Sequence, residues 1–209
     1  MHLFTRQATL ARDQIQDGTA YAVEIAGYVT KKTGLEVNTW TTVYGAPLGS
    51  VSWSARVDSQ AAMGAATETL AADAGFQKQV AANGHLFDGT LEDSIGEFVA
   101  LSGEPGPSRK YAGIVTAQCA GGRIADAMAW GVDIMQLSAK LTGSDHALVR
   151  PLYGPFATLV WIALFDTLEE ADAVETARAS DPIYLERLDQ GGDLFVPGSA
   201  TQRLIRRLS

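Results

Sequence analysis

One pattern of residues recurs in both halves of this sequence, in the same order and at nearly constant spacing. Tyr44-Gly45 and Tyr153-Gly154 lie 109 residues apart, and residues before them match at the same shift. Beyond the loop that follows, the shift falls to 108. The other matched pairs include Ile15 with Ile124, Asp17 with Asp126, Ala20 with Ala129, Ile25 with Ile134, Lys31 with Lys140, Gly34 with Gly143, Trp53 with Trp161, Asp58 with Asp166, Asp73 with Asp181, Gly84 with Gly192 and Phe87 with Phe195. Self-similarity at a fixed period indicates a repeated structural unit, so both halves are predicted to fold alike.

A break in this pattern separates the two halves. The run Ser-Gly-Glu-Pro-Gly-Pro-Ser over residues 102–108 holds two prolines and two glycines, which interrupt both helices and strands. We therefore predict a first repeat over residues 1–101 and a second over 110–209. Residues 102–109 form the predicted linker, with its boundary near Gly106.

Each repeat shows the pattern of a β-α-β-β-α-β unit. Apolar residues between Ile15 and Val29 recur at helical spacing, and Gly34 follows as a helix stop. Residues 50–57 alternate between apolar and polar side chains, as a strand with one buried face does. One long helix is expected from Asp58 to about Ala82. In the second repeat, the matching helix is expected to be interrupted at Asp181-Pro182.

A unit of this kind has a four-stranded antiparallel sheet with both helices on one face. The other face of the sheet is left bare and must be covered. A second copy supplies the cover when the two sheets meet. The predicted fold class is therefore α+β, with two tandem ferredoxin-like units packed sheet to sheet as a pseudo-dimeric α+β barrel.

The composition limits the classes of function. Hydrophobic residues make up 46% of the chain and charged residues 19%, which is typical of a folded globular protein. A net charge of -8 disfavours nucleic acids and anionic membranes as partners, because both repel an acidic surface. The start of the sequence lacks the apolar core of a signal peptide, and no stretch reaches the roughly 18 apolar residues of a membrane span. We expect a cytoplasmic monomer or homodimer whose partner is a small molecule.

Residues that hold metals and cofactors are sparse. The chain has one cysteine, Cys119, and its three histidines show no metal-site spacing. No phosphate-binding loop and no nucleophile motif is present. We therefore expect no cofactor and no metal, and a colourless protein.

The order of elements, the Tyr-Gly turn between the second and third strands, and the run Asp-Pro-Ile-Tyr-Leu-Glu-Arg at 181–187 resemble the dimeric α+β barrel superfamily. That superfamily includes antibiotic-biosynthesis-type monooxygenases, NIPSNAP-like proteins and haem-handling relatives of chlorite dismutase. The resemblance covers nearly the whole chain, once per half. It implies a barrel cavity in which such monooxygenases use polar and aromatic side chains, without metal or bound flavin. It assigns no role to any individual residue here.

A row of polar side chains on one predicted strand is the main functional hint. Ser52, Ser54 and Arg56 share one strand face. Their counterparts in the second repeat are all apolar: Val160, Ile162 and Leu164. If this face lines an interior, one half is polar and the other apolar, which suits an amphipathic small ligand. The alternative is that the polar row is simply solvated.

His146 and Arg150 alternate with leucines on a strand of the second repeat. They either place two polar groups in a cavity or form a strand-edge histidine with an arginine that reaches solvent. With Arg56, they are the predicted catalytic residues, which would orient or polarise a substrate.

Aromatic residues also gather on the central strands: Trp40, Tyr44, Trp53, Tyr153 and Trp161. They either pack the sheets or form a platform for a ligand. The predicted ligand-binding set is Ser52, Ser54, Trp53, Trp161, Tyr153 and Tyr44.

Two functions follow from these expectations. The first is a small-molecule-binding α+β barrel that acts as a cofactor-free monooxygenase-like or isomerase-like enzyme on a partly apolar substrate. The second is a non-catalytic ligand-binding or stress-related barrel. A third option is haem handling, with His146 or His85 as the axial ligand.

Overall fold

A computed structural model describes residues 1–103, 109–154 and 156–209. These residues divide into two compact units, Met1–Ile95 with Arg206–Ser209, and Gly96–Ile205. The predicted boundary near Gly106 lies outside the described residues, as do five residues of the predicted linker, 104–108. The repeat limits of 1–101 and 110–209 stay a prediction.

The described residues contain six α-helices and eight strands, so the class is α+β as predicted. The first half contains β1 (His2–Leu10), α1 (Ile15–Thr33), β2 (Val37–Tyr44), β3 (Ser50–Val57), α2 (Gln60–Ala71), α3 (Ala74–Asn83) and β4 (Phe87–Leu101). The second contains β5 (Tyr111–Gln118), α4 (Ile124–Thr142), β6 (Asp145–Pro151), β7 (Thr158–Phe165), α5 (Leu168–Ser180), α6 (Pro182–Asp189) and β8 (Thr201–Arg207). The order of elements is the same in both halves. In the part of the chain described, no helix combines the length and apolar character that crossing a membrane requires.

The second helical segment of the first half differs from its prediction. The expected single helix over residues 58–82 is wrong, because α2 ends at Ala71 and α3 begins at Ala74. Asp73 causes the break: its side chain accepts a hydrogen bond of 2.7 Å from the Phe76 N–H, which caps α3. Asp181 caps α6 in the same way, so the predicted interruption there is confirmed.

Removing these two caps is expected to destabilise the protein unequally. Asp181→Ala loses one N-cap and is expected to lower the free energy of unfolding by about 1 kcal/mol. Asp73→Ala is expected to cost more, because Asp73 also accepts from the Tyr28 hydroxyl at 2.7 Å and pairs with Lys32 at 2.6 Å. Urea unfolding measures both losses, with Asp172→Ala on the exposed side of α5 as the control. Equal losses for the two caps would show that the Tyr28 and Lys32 contacts add nothing.

In the first unit, β3 lies between β1 and β2, and both pairings are antiparallel. The core on the helix side of this sheet contains Val51 and Trp53 from β3 and the buried face of α1. Burial alternates along the whole of β3, as the sequence pattern predicts. Ser52, Ser54 and Arg56 therefore lie on the sheet face turned away from the helices.

In the second unit the strand order is β8-β5-β7-β6-β4, where β4 contributes Gly96–Leu101. Its helix-side core contains Leu148, Leu159 and Met135, with Trp161 packed against them. The opposite face of β7 carries the three counterparts of the polar row: Val160, Ile162 and Leu164. Their partners on β5 are Thr116, Ile114 and Ala112, and those on β6 are Val149, Ala147 and Asp145, so this face is mostly apolar.

Equivalent contacts recur inside the two units. The Trp53 indole N–H donates to the Ala22 carbonyl at 2.8 Å, and the Trp161 indole N–H donates to the Gly131 carbonyl at 3.0 Å. Ala22 and Gly131 are themselves 109 residues apart. Each tryptophan also packs on a phenylalanine: the ring centroids of Trp53 and Phe87 are 6.0 Å apart, and those of Trp161 and Phe195 are 5.7 Å apart. Both halves thus use the same anchoring of a strand tryptophan to the middle of a helix.

Candidate functional site

The candidate site is the helix-free face of the first unit. Side chains of directly paired strand residues point to the same face, so the register places neighbours on both sides of the β3 row. Thr5 and Gln7 of β1 and Asn38 and Trp40 of β2 pair with Ser54 and Ser52. We call this set, with Arg56, the polar face: Thr5, Gln7, Asn38, Trp40, Ser52, Ser54 and Arg56.

Arg56 is the charged group of the polar face. Arg56 is partly buried, yet its side chain has no hydrogen bond or ion pair with any described residue. A guanidinium keeps its charge at any physiological pH, and a charge withdrawn from water needs an acceptor. Arg56 is therefore placed to receive an acceptor from a ligand.

Trp40 and Ser54 form the centre of the polar face. Trp40 is 5% exposed, and its indole N–H donates to the Ser54 Oγ at 2.8 Å. Because Ser54 accepts this bond, its own hydroxyl proton stays available, and no described residue accepts it. Successive side chains on one strand face lie about 7 Å apart, so Ser52 and Arg56 span about 13 Å. The row thus offers hydroxyl and guanidinium donors beside an apolar ring.

Of the aromatic residues predicted to bind a ligand, Trp53 and Trp161 do not join this row. Trp53 lies on the opposite face of β3, is 7% exposed and packs in the helix-side core. Trp161 packs in the corresponding core of the second unit. For these two, the contacts describe sheet packing rather than a ligand platform. Tyr44 and Tyr153 are 68% and 62% exposed, at the end of β2 and just beyond β6.

His146 lies on the helix side of the second unit, in a polar cluster. Its Nδ1 is 2.8 Å from the Ser144 carbonyl, which only accepts, so Nδ1 carries the proton. Nε2 accepts from the Arg178 guanidinium at 2.9 Å and lies 3.0 Å from the Ser138 hydroxyl. Burial lowers the pKa of His146 to about 4, although the bond to Ser144 acts in the opposite direction. His146 is therefore neutral near pH 7, with both ring nitrogens engaged.

Arg150 lies near the end of β6 and pairs with Glu97 at 2.8 Å, in a partly exposed ion pair. Its charge is therefore already matched at the surface. His146 and Arg150 belong to the second unit and Arg56 to the first. Within the second unit, His146 is buried in the cluster with Arg178, and Arg150 is held by Glu97.

His85, the other candidate haem ligand, is exposed and lies 3.1 Å through Nδ1 from the Ala82 carbonyl. Over the described ranges, no three His, Cys, Asp or Glu side chains are grouped so that they could hold a metal ion.

The sequence analysis did not assign two residues, Trp40 and Arg178, to these sites. Trp40 was noted as aromatic but not placed beside Ser52 and Ser54, and Arg178 was not considered at all. The pairing register of β2 with β3 would have found Trp40, but register depends on contacts far apart in the chain. The apolar spacing of α5 gave no signal that Arg178 turns inward.

Solved structures match this chain over nearly its full length, whereas no family model and no curated protein matches it. A provisionally assigned monooxygenase from Fusobacterium nucleatum has a TM-score of 0.72 at 10% identity, covering 100% of this chain and 92% of that one. An anthrone oxidase-like protein has a TM-score of 0.67 at 13% identity, covering 100% and 91%. Chlorite dismutase from Candidatus Nitrospira defluvii, in complex with imidazole, has a TM-score of 0.53 at 10% identity, covering 97% and 90%.

The likeness shows the fold. These proteins share the α+β fold of this chain, and the resemblance to the dimeric α+β barrel superfamily stays a prediction. Identities this low carry over no reaction and no residue role. The antibiotic-biosynthesis-type and NIPSNAP-like affiliations and the tandem ferredoxin-like layout stay predictions.

Proposed function

We propose that this protein binds a small, partly apolar molecule on its polar face and acts on it as a cofactor-free monooxygenase-like or isomerase-like enzyme. The observation that carries the proposal is Arg56, a partly buried cation with no partner among the described residues. Beside it lie the Ser54 hydroxyl and the ring of Trp40. An apolar wall with a few convergent polar groups is the usual composition of a small-molecule site.

The chemistry such a face supports is the stabilisation of an oxygen that gains negative charge. If the ligand loses a proton next to a carbonyl, the resulting enolate oxygen is stabilised by donors already in place. With molecular oxygen as the oxidant, an activated CH₂ group then becomes a carbonyl. One oxygen atom enters the product and the other leaves as water with both hydrogens, so no external reductant is needed. An isomerase would instead return the proton to another carbon.

The second candidate is a barrel that binds its ligand without reaction. Among the described residues, the polar face holds no carboxylate and no histidine to remove a proton. His146 lies on a helix side, with both ring nitrogens engaged. These observations support this second candidate, because general acid–base catalysis requires a positioned base.

We also infer that the chain is a tandem duplication of one ferredoxin-like unit. The repeated order of elements supports this, as do the matching bonds of Trp53 and Trp161 to α1 and α4. An experimental structure tests it: residues 1–101 and 110–209 are expected to superpose with the same strand order. A different order in the two halves would exclude the duplication.

Binding is tested with N-phenyl-1-naphthylamine, a neutral probe that fluoresces in apolar surroundings. We expect the native chain to bind it and Ser52→Phe, which fills the polar face, to weaken binding about tenfold or more. Ser180→Phe, at an exposed serine at the end of α5, is the control and is expected to bind normally. Circular dichroism confirms that both variants are folded, and Ser52→Leu serves if the phenylalanine is not tolerated. A native chain that does not bind the probe contradicts the proposal.

Catalysis is separated from binding with an oxygen electrode and anthrone as the test substrate. An enzyme is expected to consume one O₂ for each anthraquinone formed, at a rate above the uncatalysed oxidation. A rate equal to that background, with probe binding intact, would leave the non-catalytic barrel as the function.

A further inference from the structure

We propose that the ligand of the polar face is an amphipathic monoanion, that its charged group pairs with Arg56, and that each chain binds one such molecule. This rests on the proposed function, since it specifies what the same face selects. Three observations carry it: the partners of the partly buried arginines, the hydroxyl donors of the polar face, and the apolar side chains that replace the polar row in the second unit.

Arg56 differs from the other partly buried arginines in its lack of a side-chain partner among the described residues. Six arginines of the described residues are partly buried: Arg6, Arg56, Arg150, Arg178, Arg203 and Arg207. Each of the others has an interaction partner, for example Asp93 for Arg6 at 2.7 Å and Glu97 for Arg150 at 2.8 Å. The chain has a net charge of -8, yet no carboxylate of residues 1–103, 109–154 and 156–209 forms an ion pair with Arg56. A ligand is therefore the acceptor that would complete this site.

Two serines of the same strand row, Ser52 and Ser54, add hydroxyl donors on the face that carries Arg56. Ser54 already accepts from Trp40, so it has a hydroxyl proton to give. The Ser52 side chain has no hydrogen bond with a described residue, and Ser52 lies directly opposite Trp40. Donors in a row favour an oxygen-rich or anionic group, because charge-assisted hydrogen bonds are about twice as strong as neutral ones. One guanidinium balances one negative charge, which favours a monoanion over a dianion.

The matching row on β7 of the second unit is not an equivalent site. Its side chains, those of Val160, Ile162 and Leu164, contain neither a donor nor a cation. The helix-side contacts of the two units nevertheless match, as the bonds of Trp53 and Trp161 show. The two units thus match on the helix side of their sheets and differ on the opposite face, where a ligand would bind. The anion site therefore occurs once per chain.

The test compares two fluorescent probes that differ by one sulfonate group. Anilinonaphthalene-8-sulfonate carries one sulfonate, and N-phenyl-1-naphthylamine is its neutral counterpart. Fluorescence titration of the native chain is expected to show about tenfold tighter binding of the sulfonate, with one molecule per chain. Arg56→Gln is expected to remove that preference and leave the neutral probe within about twofold. Arg56→Lys, which keeps the charge, is expected to retain part of it.

Arg12→Gln is the matched control, because it removes the same charge from an exposed arginine of the first unit. It is expected to leave both probes unchanged. If Arg56→Gln left the sulfonate preference intact, or if two sulfonate probes bound per chain, this inference would be overturned. The proposed function would survive either result, provided that the native chain still bound the neutral probe and Ser52→Phe still weakened it.

Discussion

Trp53→Ala is expected to lower the free energy of unfolding by about 4 kcal/mol, and Trp161→Ala by a similar amount, because truncating a core tryptophan leaves a large cavity. Trp53 is 7% exposed and joins α1 to the sheet through its bond to Ala22 and its contact with Phe87. Trp161 makes the same connections to Gly131 and Phe195. Urea unfolding followed by circular dichroism measures both losses.

Phenylalanine variants separate packing from hydrogen bonding. Trp53→Phe and Trp161→Phe keep an aromatic ring but lose the indole N–H, so a loss of only about 1–2 kcal/mol is expected. If the alanine variants lost less than about 1 kcal/mol, the recurring contact would not be what stabilises each unit.

Acidification is expected to destabilise the protein through His146. Its pKa is 6.5 in the unfolded chain and about 4 in the folded one, so between these values the unfolded state binds more protons. Stability is therefore fully present above about pH 6.5 and falls as the pH drops toward 4, by about 3 kcal/mol in total. The physical cause is first the burial of the ring and then the charge of Arg178, which Asp145 only partly offsets.

The measurement is the free energy of unfolding at about pH 7 and about pH 5. His146→Gln is the control, since its amide does not titrate but still offers an oxygen toward Arg178. The variant is expected to be less stable at neutral pH and to lose less stability on acidification. An identical pH dependence in both proteins would assign the effect to the carboxylates instead.

Much of the fold could be predicted because its signals are local. The bounds of β3 agree with the alternation of apolar and polar residues over 50–57. The break at Asp181 was visible because a proline follows it, whereas Asp73 is followed by Ala-Gly in an alanine-rich run. The match of Asp73 to Asp181 at a shift of 108 would have predicted the break at Asp73, since both aspartates cap a helix.

The site could be predicted only in part, for a physical reason. Side chains alternate between the two faces of a strand, so Ser52, Ser54 and Arg56 could be assigned to one face without knowledge of the fold. Their neighbours depend on pairing register and helix packing, which are set by contacts between distant residues. Trp40 belongs to the site because the strand register places it opposite Ser52. His146 does not belong to it, because Arg178, 32 residues further on, binds it in a cluster on the helix side.

The bonds of Trp53 and Trp161 to helix carbonyls also bear on how this protein tolerates mutation. Because these anchors lie on one side of each sheet, substitutions on the other side leave them untouched. A mutational scan should therefore find Val160, Ile162 and Leu164 permissive to small polar residues at little cost in expression. Placing serine, serine and arginine there would then test whether the proposed anion site can be built on the second unit. Two units with matching helix-side anchors can differ in specificity, because the other face of each sheet can change independently.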